Sequence, residues 1–189
     1  IAVSGQSVIL RYINFPKMNV NELKQALKFE AQKHIPFPIN EVSLDSCVLK
    51  ENQQDNKMSV LVAAVKKEFV NQRLKLLEKY GIKINIVDID SLALINAFNF
   101  NYSSEGVELK NKIIALLNIG ASVSNLNVLD NGLPVLSRDI PIGGNNFTQK
   151  IVDALGIDFE SAESLKVKPD NAQEKQDKVI QACESMLSN

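Results

Sequence analysis

The sequence has 189 residues, of which 45% are apolar, and its formal net charge is −1. This length and apolar content suit one or two domains with a hydrophobic core. The near-neutral charge removes the electrostatic attraction on which nucleic-acid binding depends, and it leaves no basic patch for anionic lipid. Cys47 and Cys183 stand far apart in no metal-ligand pattern, which favours a reducing compartment without a disulfide framework.

No apolar run approaches the roughly 20 residues of a membrane span. We therefore expect a cytoplasmic chain that binds no nucleic acid and meets a membrane only indirectly. The chain begins at Ile1, without Met and already inside an alternating apolar pattern, which predicts a fragment of a longer protein.

The first part of the chain alternates strand and helix patterns. Residues 1–15 predict two short strands or one kinked strand, and Asn19 with Glu22 forms a capping box before a helix over 20–34. Strands are predicted at 42–49, 59–65 and 82–87, and a helix at 67–80 that Gly81 ends. Strand, helix, strand, strand, helix, strand is the order of a ferredoxin-like α+β sandwich.

The middle of the chain predicts a helix over 92–98, capped by residues 88–91, and then a polar linker over 99–111. The next segment, 112–145, reads KIIALLNIGASVSNLNVLDNGLPVLSRDIPIGGN. It predicts strands at 113–117, 123–129 and 133–140, with a hairpin turn at 130–132 where Asn131 and Gly132 tolerate positive φ. Gly143 and Gly144 lead into a helix.

The last part of the chain predicts helices only. A helix over 147–155 is closed by Gly156, and a second begins at Asp158 and ends before Pro169. Asp170 is expected to cap a final, largely polar helix that extends to about residue 187.

The turn at 118–124 is the strongest candidate for a binding site. Small residues there can direct several backbone N–H groups at an anion, and a helix N-terminus adds to that effect. Gly120 leaves room for close approach of the backbone to phosphate. The alternative interpretation is a β-turn built from Gly and Ser, with Gly143, Gly144 and Asn145 acting as a helix cap.

Residues 118–124 resemble the second phosphate loop of the actin-like ATPase superfamily, Asp-x-Gly-x-Gly/Ser-x-Thr/Ser. The longer string NIGASVSNLNVL…SRDIPIGGN, together with DFESAESLK, resembles the PilM family of type IV pilus assembly. The segment QALKFEAQKHIPFPINEVSLD resembles the start of the SHS2-type inserted subdomain that this family shares with the division protein FtsA. The residues that this resemblance assigns to the nucleotide are Asn118, Gly120, Ala121, Ser122, Ser124 and Asn125.

The resemblance implies an α+β or α/β chain in which an SHS2-like subdomain precedes part of an actin-like, ribonuclease H-like subdomain. The implied boundaries are 1–87 for the inserted subdomain with its preceding strand, 88–111 for a helix and linker, and 112–189 for the partial actin-like subdomain. The ferredoxin-like and SHS2-type topologies contain the same kinds of strands and helices, so the sequence does not distinguish between them.

The resemblance also implies a function. It predicts a nucleotide-binding scaffold, cytoplasmic and peripheral to the inner membrane, that holds the cytoplasmic tail of a PilN-like membrane protein and contacts other pilus assembly proteins. Such a tail would lie as an extended peptide in an apolar groove. The groove residues predicted by position are Leu27, Ile35, Phe37, Leu92 and Ile95.

The expected cofactor is ATP with Mg²⁺ in the full-length protein. Asn118 stands where the superfamily usually has an aspartate, so it brings no negative charge to organise Mg²⁺, and at most weak ATPase activity is expected. The superfamily's first phosphate loop and adenosine loop are missing, so this fragment alone is expected to bind no nucleotide. No catalytic residues are assigned, and no metal-ligand cluster is visible. The alternatives are an FtsA-like division protein and an active ATPase of the actin, Hsp70 and sugar-kinase superfamily.

Overall fold

The computed structural model describes residues 1–5, 7–52, 56–104, 111–168, 177–181 and 183–184. Its strands are β1 (Ala2–Val3), β2 (Val8–Pro16), β3 (Val42–Asn52), β4 (Lys57–Lys66), β5 (Asp88–Ile89), β6 (Ile113–Ile119), β7 (Ser124–Asp130) and β8 (Leu133–Ile140). Its helices are α1 (Val20–His34), α2 (Lys67–Glu78), α3 (Asp90–Ser104), α4 (Gly144–Leu155) and α5 (Phe159–Val167), with a short 3₁₀ helix at Ile39–Glu41.

The chain divides into two compact units. The first unit contains Ile1–Leu116 and Asn127–Ser137, and the second contains Leu117–Leu126 and Arg138–Asn189. The expected division at 87 and 111 stays a prediction.

Helix α1 has the predicted bounds. The Asn19 side chain accepts hydrogen bonds from the N–H groups of Asn21 and Glu22, and the Glu22 carboxylate accepts one from the Asn19 N–H at 2.9 Å. This capping box satisfies N–H groups that have no partner within the helix. At the other end, Ile35 is extended, with φ −108° and ψ 121°, as a residue before proline prefers.

Strands β2, β4 and β3 form an antiparallel sheet in that order. The central strand β4 is almost wholly buried, with Val60 and Ala64 completely inaccessible to solvent. One face of the sheet packs against α1 through two apolar clusters. The first cluster contains Ile13, Phe15, Leu23, Leu27, Met58, Val60 and Val62, and the second contains Ala31, Ile35, Val42 and Ala64.

The predicted strand at 82–87 is wrong. Residues 82–87 adopt no regular structure, and β5 begins immediately after them at Asp88, where the sequence predicted a helix cap. β5 pairs in parallel with β1, matching Ala2 to Asp88 and Val3 to Ile89. The pairing depends on a partner strand far away in sequence, so local alternation of Ile82, Ile84 and Ile86 could not locate it. The fourth strand that a ferredoxin-like sheet needs is therefore not formed by these residues.

Helix α3 extends further than predicted. It continues to Ser104, so residues 99–104 are helical where a polar linker was expected. Phe98 and Tyr102 are one helical turn apart, and their ring centroids lie 4.7 Å from each other. The Asn101 amide also donates to the Ala97 carbonyl at 2.9 Å. The remaining linker residues, 105–110, lie outside the described residues.

Strands β6, β7 and β8 form a second three-stranded sheet in chain order. β7 and β8 are joined by the predicted turn, in which Asn131 has φ 53° and Gly132 has φ 78°. Two successive residues at positive φ are what a two-residue hairpin of type I′ requires. The prediction of this hairpin is confirmed.

Helices α4 and α5 form the core of the second unit. Gly156 ends α4 in the left-handed conformation at φ 64°, and Asp158 caps α5 by accepting from the Ser161 N–H, both as predicted. Ile151 and Ala162 pack with Val179 from the helical residues 177–181. α5 ends at Val167, before Pro169 as predicted, whereas the predicted cap at Asp170 falls outside the described residues. Among the described residues, no helix is both long and apolar enough to cross a membrane.

Candidate functional site

The loop between β6 and β7 is a tight turn that only glycine can begin. The Gly120 N–H donates to the Val123 carbonyl at 3.1 Å. A Cβ atom at position 120 would lie 2.7 Å from the same carbonyl oxygen, which is closer than real Cβ contacts come. The close approach of the Val123 carbonyl therefore explains why position 120 is glycine, whether or not a ligand binds there.

The same loop is fastened to the first turn of α4. The Gly144 N–H donates to the Gly120 carbonyl at 2.8 Å, and the Asn145 N–H donates to the Ala121 carbonyl at 2.7 Å. The Asn146 side chain accepts from the Gly143 N–H at 2.9 Å. The N–H groups at the start of α4, which were expected to favour an anion, therefore bond to atoms of the protein itself. Gly143 caps the helix, and Asn145 holds the loop through Ala121.

Three of the predicted site residues make hydrogen bonds that support the loop. We call this set of bonds, with its partners Asp139 and Ile142, the frame. The Ser124 hydroxyl, which is buried, donates to the Ile142 carbonyl at 2.6 Å. The Asn118 amide donates to the Asn125 side chain at 3.2 Å, and the Asn125 amide donates to the Asp139 carboxylate at 2.7 Å. These contacts hold Asn118, Ser124 and Asn125 in place and occupy the polar atoms that were expected to face phosphate.

Asp139 is the residue of this frame that sequence reasoning missed. A two-residue turn pairs Asp130 with Leu133, and counting outward along β7 and β8 places Asp139 opposite Ser124. Residues directly opposite each other share a face of the sheet, so this count places the carboxylate beside Ser124 and does not show its hydrogen bond with Asn125. The frame thus contains a negative charge, although Asn118 itself supplies none.

The tip of the loop remains accessible. Ala121 and Ser122 are both exposed, and no hydrogen bond among the described residues uses the N–H of either. The Ser122 hydroxyl accepts from the Asn145 amide at 3.4 Å. Of the six residues predicted to contact a nucleotide, Ala121 and Ser122 are the pair whose N–H groups stay available for an anion.

A lysine lies beneath the first turn of α4. The Lys166 ammonium donates to the Gly144 carbonyl at 3.1 Å, to the Thr148 hydroxyl at 2.8 Å and to the Glu163 carboxylate at 2.6 Å. Thr148 is wholly buried and also bonds to Glu163. The hydrogen bonds from Lys166 and then Thr148 lower the pKa of Glu163. This cluster joins α5 to the helix end that carries the loop.

Replacing Lys166 by methionine is expected to raise the pKa of Glu163 towards the ordinary glutamate range, because the largest stabilising contact of its carboxylate is removed. A folded-state pKa below the unfolded value stabilises the fold above the unfolded pKa, and this contribution is lost as pH falls through the folded pKa. An NMR titration of the Glu163 side chain measures the shift. Lys168→Met is the matched control, and an unchanged Glu163 pKa in Lys166→Met would contradict the expectation.

The predicted groove residues all lie within the first unit. Leu27 and Ile35 are 5% exposed and Ile95 is 4% exposed, so their side chains are core. Phe37 is partly buried against the cluster of Ile35, and the Lys66 ammonium lies 4.3 Å from its ring centroid. Leu92 packs against the cluster of Val3, Val65 and Ile89. The part of these five residues in a groove stays a prediction.

The potential metal ligands of the described residues are dispersed. No group of three His, Cys, Asp or Glu side chains there is arranged to hold a metal ion. The ordered polar clusters, around Asn125 and around Lys166, hold elements of the second unit together. Among the residues predicted to contact a nucleotide, Ala121 and Ser122 at the loop tip are exposed and have free N–H groups.

Comparison with known proteins places the chain in a family. Residues 1–189 match the family described as type IV pilus assembly protein PilM. A solved structure, the PilM-PilN type IV pilus biogenesis complex, is 28% identical, with a TM-score of 0.80 over 99% of this chain and 54% of the matched chain. This likeness confirms the expected fold class, an α+β chain with the actin-like fold.

A curated relative supports the same relationship over a shorter stretch. The cell division protein FtsA of Bacillus subtilis (strain 168) is 31% identical over 100 residues, which is 53% of this chain and 21% of FtsA. The chain thus spans about half of the matched PilM chain and about a fifth of FtsA. The match to the pilus family covers every residue, and the chain therefore belongs to the type IV pilus assembly protein PilM family.

Proposed function

We propose that the protein to which this chain belongs is a nucleotide-binding scaffold of type IV pilus assembly that holds the cytoplasmic tail of a PilN-like protein. The observation that carries the proposal is the likeness over 99% of the chain to a PilM that was solved in complex with PilN. Its place would be at the cytoplasmic face of the inner membrane, reached through that partner and other pilus assembly proteins.

Tail binding is tested on the full-length protein with a fluorescent peptide of the PilN-like cytoplasmic tail. Saturable binding is expected, since an extended peptide gains backbone hydrogen bonds and a few apolar contacts. A scrambled peptide of the same composition is the control. Equal binding of both peptides, or of neither, would contradict the scaffold role.

The nucleotide part of the proposal is supported by the loop tip. Ala121 and Ser122 are exposed, and their N–H groups, which make no hydrogen bond among the described residues, are suited to phosphate oxygens. The accompanying cation would be Mg²⁺; Asn118 bonds to Asn125, and the Asp139 carboxylate already accepts from the Asn125 amide. We therefore expect nucleotide binding with at most weak hydrolysis.

The test is calorimetry of ATP with Mg²⁺ on the full-length protein and on its Ser122→Asp variant. A carboxylate at the loop tip would repel the phosphates, and at about 4 Å near a protein surface this repulsion costs a few kcal/mol, or roughly tens-fold and more in affinity. Ser4→Asp, an exposed position of the first unit, is the matched control. Equal affinity of Ser122→Asp and wild type would show that the nucleotide binds elsewhere, if it binds at all.

An active ATPase and an FtsA-like division protein remain as rivals in the same superfamily. The FtsA match covers 53% of the chain, whereas the pilus family matches all of it, which favours the pilus assignment. Asn118→Asp restores the carboxylate of the superfamily's loop. A large gain in ATP hydrolysis in that variant, against no activity in wild type, would support the scaffold over the ATPase.

A further inference from the structure

The first unit has an open groove at one edge of its sheet. The groove has a volume of about 920 Å³ and lies between α1, the 3₁₀ helix and the first residues of β3. Its apolar wall includes Phe29, Ile39 and Leu44. Phe29 is 75% exposed, although the opposite side of α1 is packed in the core. Phe29 lies next to the partly buried Ile39 and Leu44 in the groove lining, so the three side chains offer a partner an apolar surface to cover.

The charges that line the groove are all positive. Lys28 and Lys67 are its ionisable lining residues, and no carboxylate is among them. Lys67 donates to the Asn40 carbonyl at 2.8 Å, which holds its ammonium at the groove with further N–H donors to spare. The exposed carboxylates of Glu41 and Asp45 lie outside the lining. The groove therefore complements a segment that presents carboxylates beside apolar side chains.

The backbone beside the groove is an unpaired strand edge. β3 is the outer strand of the order β2-β4-β3, so among the described strands its second edge has no neighbour. Its pairing with β4 is regular from Val42 to Val48 and shifts between Val48 and Lys50. Such an edge binds extended peptides by strand addition, and a bulge limits how far an added strand can extend.

We propose that this groove docks an extended acidic segment of a partner protein. The segment pairs with the edge of β3 over Val42–Val48, packs an apolar side chain on Phe29, and places carboxylates near Lys28 and Lys67. This surface is additional to the proposed tail and nucleotide sites, and the inference does not rest on either of them.

The probe is a synthetic peptide in which glutamate alternates with valine and phenylalanine, and its counterpart has lysine in place of every glutamate. Amide spectra of the ¹⁵N-labelled chain are recorded during titration with each peptide. The acidic peptide is expected to shift amides of Val42–Val48 and of α1 around Lys28 and Phe29. Lys28→Glu and Lys67→Glu are each expected to weaken that binding ten-fold or more.

Lys24→Glu is the matched control, because it makes the same charge change one helical turn before Lys28 at an exposed position outside the groove. Its affinity should equal that of wild type. Lys28 is exposed on α1, so Lys28→Glu tests the groove even if Lys67→Glu, which loses the bond to Asn40, does not fold. Equal binding of the lysine peptide, shifts elsewhere in the chain, or self-association through β3 without peptide would each overturn the proposal.

Discussion

Replacing Gly143 with alanine is expected to destabilise the second unit by about 2–4 kcal/mol, because its new Cβ has no space. That atom would lie 2.6 Å from the Gly120 carbonyl oxygen and 2.7 Å from the Ala121 carbonyl carbon. Both are backbone atoms fastened to α4 by hydrogen bonds, so they cannot move aside without breaking those bonds. Urea unfolding, with hydrogen exchange of the α4 amides, measures the loss.

Gly144→Ala is the control for this substitution. Its Cβ would meet the Lys166 ammonium at 3.2 Å, and that group is the mobile end of a long side chain. Alanine is also the better helix former by roughly 1 kcal/mol, so Gly144→Ala should leave stability nearly unchanged or raise it slightly. Equal stability of the two variants would contradict the close contact between the loop and α4.

Truncating Leu27 to alanine is expected to cost about 2–5 kcal/mol of stability, although the sequence assigned this residue to a partner groove. Leu27 is 5% exposed and packs with Phe15, Met58 and Val60, so its loss leaves a cavity in the core of the first unit. Phe29→Ala, on the exposed side of the same helix, should change stability by about 0.5 kcal/mol or less.

Chemical denaturation of both variants, followed by circular dichroism, makes the comparison. If Leu27→Ala were as stable as wild type and yet bound the tail peptide more weakly, then Leu27 would belong to the groove as the sequence predicted. A large stability loss in Phe29→Ala would instead show that Phe29 is packed, and would remove it from the docking surface.

Local signals predicted their elements well. The capping box of Asn19 and Glu22, the turn at Asn131 and Gly132, and the left-handed Gly156 each act within a few residues of themselves. Their physical cause is local, being a free N–H group or a positive φ, and so the sequence shows it directly. Elements bounded by such signals have nearly the predicted ends.

Elements that depend on a distant partner were harder to predict. Ile82 and Ile86 alternate as in a strand, yet they are 49% and 72% exposed and belong to no strand, because β1 pairs with Asp88 and Ile89 instead. The polar residues after Phe98 resemble a linker, but the contact of Phe98 with Tyr102 continues the helix. Neither the position of β5 nor the end of α3 can be predicted from the residues next to it in sequence.

The candidate site shows the same division. The sequence located the turn at Gly120, since small residues mark it directly. It did not show which groups Ser124 and Asn125 bind, because counting outward from the hairpin turn gives the opposite residue in β8 but not the bond between Asn125 and Asp139. Asp139 was missed for that reason, and with it the carboxylate that orients Asn125.

The parallel pair of β1 and β5 has a consequence for how the first unit can vary. Val3 lies beside Ile89. The segment 4–87, which contains β2, β3, β4, α1 and α2, therefore begins and ends at neighbouring points. Bringing residues 3 and 89 together costs chain entropy, and the pairing of β1 with β5 offsets this cost. The cost rises only slowly with the number of residues between the two strands. Insertions in the loops between residues 4 and 87 are therefore expected to leave Val3 beside Ile89, since both pack on Val65 of β4.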